Sequence, residues 1–103
     1  MISIIIPVYN EEECLLKNDV YYQVISQAGE LIFVDGGSSD QTVKLAGKVG
    51  RVITAPKNRG AQMNRGAKEA KHNILLFLHA DAFIHLDNLQ QIVKAIEEKK
   101  YIG

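Results

Sequence analysis

Residues 74–81 read Ile74-Leu75-Leu76-Phe77-Leu78-His79-Ala80-Asp81, five apolar residues that stop at a histidine and, two places on, an aspartate. A short apolar run bounded by polar residues predicts a strand buried on both faces of a parallel sheet. His79 and Asp81 then fall at its carboxyl end, where open α/β sheets bind ligands. A carboxylate facing that crevice is well placed to hold a divalent cation against phosphate oxygens.

Working outward, strand and helix patterns alternate four times. Ile2 to Val8 is almost entirely β-branched and predicts a central parallel strand. Asn10 can cap a helix whose first turn holds Glu11, Glu12 and Glu13. That helix runs to about Ala28, with a break at Asn18-Asp19, and Gly29 ends it. Leu31 to Val34 is a second buried strand, ending at Asp35-Gly36-Gly37. Ser38 and Gln41, three places apart, form a capping box that opens a helix to about Val49. Arg51 to Thr54 is a short third strand. Arg59 or Gly60 to Lys71 is a helix rich in small residues. Beyond the fourth strand, Leu86, Leu89, Ile92, Val93 and Ile96 recur at helical spacing. Together these elements predict one α/β domain: a Rossmann-like, mostly parallel sheet of about four strands with flanking helices.

Composition narrows the class. With 103 residues, 47% hydrophobic and 23% charged, the chain has room for one core. No apolar run is long enough to span a bilayer. Met1-Ile2-Ser3 leads directly into a strand without a secretory signal pattern, and the single Cys14 allows no internal disulfide; a cytoplasmic setting is expected. Cys14 itself reads as a packed or idle thiol.

The zero net charge is unevenly distributed. Residues 1–42 hold seven acids and one base, whereas residues 51–71 hold six bases and one acid. This pattern suits a small anionic ligand better than a nucleic acid, so no nucleic-acid partner is expected. Lys68 and Lys71 also fit a plain solvated helix face.

The first strand–helix turn, Pro7-Val8-Tyr9-Asn10-Glu11, lacks the glycines of a dinucleotide fingerprint, and no Gly-Lys-Ser/Thr phosphate loop occurs. It offers an aromatic ring, an amide and a carboxylate, suited to a base and ribose. Asp35 is placed for ribose or base hydrogen bonds, or alternatively for bonding the backbone of its own Gly37-Ser38 turn. His72 and His85 read as surface or capping residues.

These segments carry a resemblance. Ile2 to Glu12 resembles the opening motif of family 2 glycosyltransferases, and Glu30 to Thr42 is similar to their second motif. Asn58-Arg59-Gly60 with Asn64-Arg65-Gly66-Ala67 resembles the third. Leu76 to Asp81 sits where that family keeps its DxD metal motif. The resemblance implies a GT-A fold that binds a nucleotide-diphospho-sugar donor with a divalent metal, Mg²⁺ or Mn²⁺, and transfers the sugar to an acceptor that the sequence does not name. By that resemblance Pro7, Tyr9 and Glu11 line the base and ribose pocket, Asp35 helps hold the nucleoside, and Arg59 approaches the diphosphate. Asp81 matches the last acid of the metal motif, and a cation there would stabilise the charge that builds on the departing nucleoside diphosphate.

Two departures stand out. Gly36 replaces the second acid of the usual Asp-Asp-Gly-Ser, which in relatives can contact the base, so the resemblance does not carry a uridine preference over to this chain. His79 stands where the first acid of the metal motif often sits; it is either a metal ligand or a hydrogen-bonding group on the crevice wall. Asp87, Glu97 and Glu98 read as solvated charges on the last helix, so the catalytic base, which this family keeps after the metal motif, has no counterpart here. The resemblance is thus to a nucleotide-binding half-domain, whose sheet edge is expected to pair with a second copy or a partner chain. The competing reading is a non-catalytic nucleotide-binding or assembly module derived from such an enzyme. A nucleotidyltransferase is disfavoured, because Tyr9-Asn10-Glu11 replaces the glycine-rich loop expected there.

Overall fold

The structure, a computed structural model, describes residues 2–99 and their side chains through Glu97; the Glu98 side chain lies outside the described residues. Four strands, β1 (Ile2–Val8), β2 (Gly29–Asp35), β3 (Arg51–Thr54) and β4 (Ile74–Phe77), alternate with helices. The helices are α1 (Glu12–Lys17), α2 (Asp19–Ile25), α3 (Thr42–Ala46), α4 (Arg59–Glu69) and α5 (Leu86–Lys99), with a short 3₁₀ turn at Ser26–Ala28.

The sheet is wholly parallel, in the order β3-β2-β1-β4. The chain therefore winds outward from β1 through β2 to β3, then crosses back to place β4 on the other side of β1. That reversal makes the carboxyl ends of β1 and β4 a topological switch point, the place where such sheets open a crevice for ligands.

Alternation along β1 sends its side chains to two layers. Ile2, Ile4, Ile6 and Val8, with Leu31 and Phe33 of β2, pack against Leu15, Tyr22, Ile25, Ala46, Leu89 and Val93 from α1, α2, α3 and α5. On the other face Ile5, Ile32 and Val34 meet Ala67 and Ala70 beside α4 and its end. The small residues of α4 have a steric cause: a Cβ on Gly66 would lie 2.4 Å from Cγ2 of Ile5 and 3.0 Å from that of Val34. Only a glycine lets this helix lie so close to the sheet.

At the amino ends of the strands, buried Ser3 donates to Glu30 (2.6 Å), whose same oxygen accepts the Lys71 N–H (2.6 Å); the His72 N–H donates to Ser3 Oγ (3.2 Å). Burial opposes ionisation of Glu30, but these bonds outweigh it and hold its carboxyl below the usual range. This clamp joins β1, β2 and the entry to β4, far from the switch point.

Several sequence expectations change. The first helix does break at Asn18, where α1 gives way to α2. Asn10 is not its cap: that position is Glu11, and Asn10 adopts a left-handed φ of 49° in the loop before it. The Ser38–Gln41 capping box does not form, because the Ser38 hydroxyl is committed to Asp35 and to the Asn10 N–H. Asp40 accepts the Thr42 N–H in its place (2.9 Å). α3 ends at Ala46 rather than Val49, since the Lys48 and Val49 amides bond three residues back. Gly29 begins β2 rather than merely ending a helix. β4 is not buried on both faces: it is an edge strand, and Leu75 and Phe77, 38% and 44% exposed, project past the end of α4's cover.

Candidate functional site

The loops leaving β1 and β2 are stitched to one another. Asn10 N–H donates to Ser38 Oγ (2.8 Å), Ser39 N–H to Asn10 Oδ1 (2.9 Å), and Glu11 N–H to Thr42 Oγ1 (2.8 Å). The Thr42 hydroxyl in turn donates to Asp40, which holds the Asp40 carboxyl below its ordinary range. Asp35 is the keystone of this loop. It is buried; one oxygen accepts the N–H groups of Gly37 and Ser38 (both 3.0 Å) and the other accepts the Ser38 hydroxyl (2.5 Å). Three of about four acceptor directions on the carboxylate are thus used within the turn. Gly37, at a φ of 97°, supplies the left-handed step that this turn needs.

Beneath the loops lies Gln62 of α4, a residue to which the sequence reading assigned no role. It is 5% exposed, and its Nε2 donates to the carbonyls of Val8 (3.1 Å) and Val34 (2.9 Å). It therefore ties the carboxyl ends of β1 and β2 together. The signal was present in the spacing: Gln62 shares a helical stripe with Gly66 and Ala70, four and eight residues on, and that stripe faces the sheet. Gly36 lies against it, since a Cβ there would meet Gln62 Nε2 at 3.1 Å. Where the family's second motif usually carries another acid, this chain has a glycine with an amide packed on it.

Tyr9 lies at the rim, 37% exposed, with the Lys57 ammonium 3.9 Å above its ring. Lys57 is a second group that the sequence reading omitted; it brings a cation beside the aromatic ring. Pro7, Arg59 and His79 meet Met63, Phe77 and Leu78 around a cleft of about 210 Å³. Arg59 Nη1 lies 2.5 Å from Nδ1 and 3.0 Å from Nε2 of His79. In this arrangement the imidazole accepts from a guanidinium on the crevice wall, and a cation would reach its nitrogens only if Arg59 swung away.

Glu11 and Asp81 lie in the loops that follow β1 and β4, the two strands that flank the switch point. The Glu11 carboxyl is pushed up, first by burial, then by the negative charges of Asp81 and Asp40. Among the described residues no three His, Cys, Asp or Glu side chains form a metal cage. A carboxylate at this place nonetheless suits a hard cation that draws its remaining ligands from water and phosphate oxygens. Of the seven site residues chosen from sequence, the structure thus groups Pro7, Arg59 and His79 around one cleft and couples Glu11 with Asp81. Tyr9 stands at the rim and Asp35 lies inside its turn.

The Asp81 turn is fixed from the core side. Its Ala82 N–H donates to the His79 carbonyl (3.0 Å), while the Ala80 carbonyl accepts from Tyr22 Oη (2.5 Å) and Cys14 Sγ (3.0 Å). Of the two readings of Cys14, the packed one holds: it lies against the core and donates to this turn.

Residues 3–103 match the Glycosyl transferase family 2 domain. The chain belongs to that family. An uncharacterized glycosyltransferase of Haemophilus influenzae is 33% identical over 105 residues, covering 88% of this chain and 40% of the relative. The crystal structure of Staphylococcus aureus TarS 1–349 in complex with UDP superposes with a TM-score of 0.75 at 27% identity, over 94% of this chain and 32% of that one. Glucosyl-3-phosphoglycerate synthase from Mycobacterium tuberculosis, solved with Mn²⁺, UDP and glucosyl-3-phosphoglycerate, gives 0.67 at 26% identity, over 79% and 33%. This family 2 chain spans 40% or less of the length of these relatives. Its parallel sheet and flanking helices match the GT-A structures over that part.

Proposed function

We propose that this chain binds a nucleotide-diphospho-sugar donor, with a divalent cation, in the crevice at the carboxyl ends of β1, β2 and β4. It would form the donor half of a sugar transferase. The observation that carries this reading is that the loops bearing Glu11 and Asp81 leave adjacent parallel strands at the switch point of a family 2 domain. Relatives solved with UDP, and with UDP and Mn²⁺, support it.

In this reading Tyr9 and Lys57 receive the nucleoside, and Asp35 shapes the loop that flanks it. Arg59 approaches the diphosphate from the cleft wall, with His79 as its neighbour. Asp81 would hold the cation, with Glu11 alongside. When bound, the cation would neutralise charge developing on the leaving diphosphate. Glu11 must be ionised to contribute, and the nearby carboxylates that raise its pKa are the ones a cation would offset. The basic stretch from Lys57 to Lys71 adds an attractive field for a multiply charged donor.

Titration calorimetry of UDP and of GDP, each with and without Mn²⁺, tests this reading. Binding that strengthens with metal supports it, and the tighter of the two nucleotides identifies the base that Gly36 and Gln62 admit. Absence of binding in all four titrations would refute it.

A second reading, a non-catalytic nucleotide-binding or assembly module, is favoured by the exposed Leu75 and Phe77 on an edge strand. Such surface suits a second copy or a partner chain. This reading expects weak, metal-independent nucleotide binding and concentration-dependent oligomers, and light scattering during gel filtration distinguishes the two. Among the described residues no helix is long and apolar enough to cross a membrane.

A further inference from the structure

The loop that carries Asp81 has little backbone support of its own. Its internal bond is the single turn from Ala82 N–H to the His79 carbonyl. What fixes it otherwise comes from side chains of α1 and α2. Tyr22 Oη and Cys14 Sγ both donate to the Ala80 carbonyl, filling its two lone pairs. Further along the loop, Tyr21 Oη accepts the Ile84 N–H (2.8 Å) and reaches the Ala82 carbonyl at 3.4 Å.

These donors are rigidly mounted. Tyr22 is fully buried and packs edge-on against Phe33 of β2 at 5.5 Å and against Tyr21 at 5.3 Å. Tyr21 packs edge-on against Phe83 of the loop at 5.0 Å. An aromatic column thus runs from the sheet core to the loop, with hydroxyls aimed at its backbone. Burial drives the Tyr22 phenol far above its ordinary pKa, so it is a permanent donor. Cys14 is held in turn: Asn18 Nδ2 donates to its carbonyl (2.8 Å) and lies 3.6 Å from its sulfur. Cys14 also lies on α1, the helix that Glu11 caps.

We propose that Tyr22 and Cys14 are positioning residues for Asp81. By donating together to the Ala80 carbonyl, they fix the turn that carries its carboxylate at the carboxyl end of β4. The inference rests on the donor-binding reading above. Neither side chain touches the donor; each acts through one backbone carbonyl.

The test compares UDP affinity with and without Mn²⁺ in the wild type, Tyr22→Phe, Cys14→Ala and Cys14→Ser. The metal increment, the ratio of the two affinities, is the readout. Tyr22→Phe removes only the hydroxyl and is expected to reduce the increment at least fivefold, leaving metal-free affinity within twofold. Cys14→Ala should reduce it less, and Cys14→Ser, which retains a donor, should recover part of the loss. Faster amide exchange at Ala82 in Tyr22→Phe, seen by NMR without ligand, would accompany it. Unchanged increments in both Tyr22→Phe and Cys14→Ala would overturn the inference. So would equal losses with and without metal, which mark general loosening. If the wild type shows no metal increment, the donor-binding reading itself fails and takes this inference with it.

Discussion

Glu11 and Asp81 stand at the ends of two adjacent parallel strands, β1 and β4, and the charge of Asp81 helps to raise the pKa of Glu11. Seventy residues apart in sequence, they follow neighbouring strands because the crossover returns the chain from β3 to the far side of β1. The pair is electrostatically unfavourable as it stands, which is the condition under which a cation binds well.

This relationship predicts a titration. Because the Glu11 pKa is raised in the folded state, the native protein holds a proton in a range where the unfolded chain has lost it. Stability therefore falls as pH rises from the ordinary glutamate value through the raised one. Asp81→Asn should lower the Glu11 pKa while leaving it above the ordinary value, because burial is the larger cause. Carbon-detected NMR titration of the Glu11 carboxyl measures this. No movement on substitution would contradict the proximity of the two groups.

Glu30 titrates in the opposite sense. Its lowered pKa contributes stability that is present above the unfolded carboxylate value and is lost as pH falls through the folded one. Glu30→Gln, which weakens the bonds from Ser3 and Lys71, should cost about 1 kcal/mol at neutral pH and flatten this acid limb. Urea unfolding across the acid range tests both features, and an unchanged acid limb would count against the clamp.

Gly66→Val should destabilise the fold by about 1–3 kcal/mol or more, since its side chain must displace Ile5 or push α4 off the sheet. Thermal unfolding measures it. A neutral result would mean that the helix does not sit where the structure places it.

Gln62→Leu removes the side-chain amide from the Val8 and Val34 carbonyls at similar side-chain volume; Val8 keeps the Gly36 N–H, so the cost is about 1 kcal/mol. Gly36→Asp, which restores the acid common in the family, forces the same amide to shift and should weaken stability by about 1 kcal/mol. Combined, the two changes should cost less than their sum, because the substituted leucine offers no amide for the introduced carboxylate to displace. Chemical denaturation of the two single variants and the double variant tests this, and strict additivity would contradict the contact.

Much of the fold was legible because the strands announce themselves. Ile2 to Val8 and Arg51 to Thr54 lie where their β-branched runs end. The break at Asn18 and the helix start at Arg59, capped by the Asn58 side chain, were equally local signals. The failures were of another kind. Ser38 could cap α3 by its spacing, but Asp35 and Asn10, one of them 28 residues away, compete for its hydroxyl and win. Leu75 and Phe77 look buried in sequence, because apolarity says nothing about which strands fall at an edge. For Asp35 both readings were open, and the geometry displays the turn-holding one. Cys14 and Tyr22 could not be found at all, since their common partner is a backbone carbonyl 66 and 58 residues away.

The central claim is that Asp81 makes donor binding depend on a divalent cation. Calorimetric titration of UDP or GDP, whichever binds, into the wild type and Asp81→Ala, with and without Mn²⁺, tests it most directly. The account predicts that Mn²⁺ tightens binding to the wild type at least tenfold and that Asp81→Ala erases this gain while retaining the metal-free affinity and the thermal unfolding midpoint. A folded Asp81→Ala that keeps the full response to Mn²⁺ would contradict it.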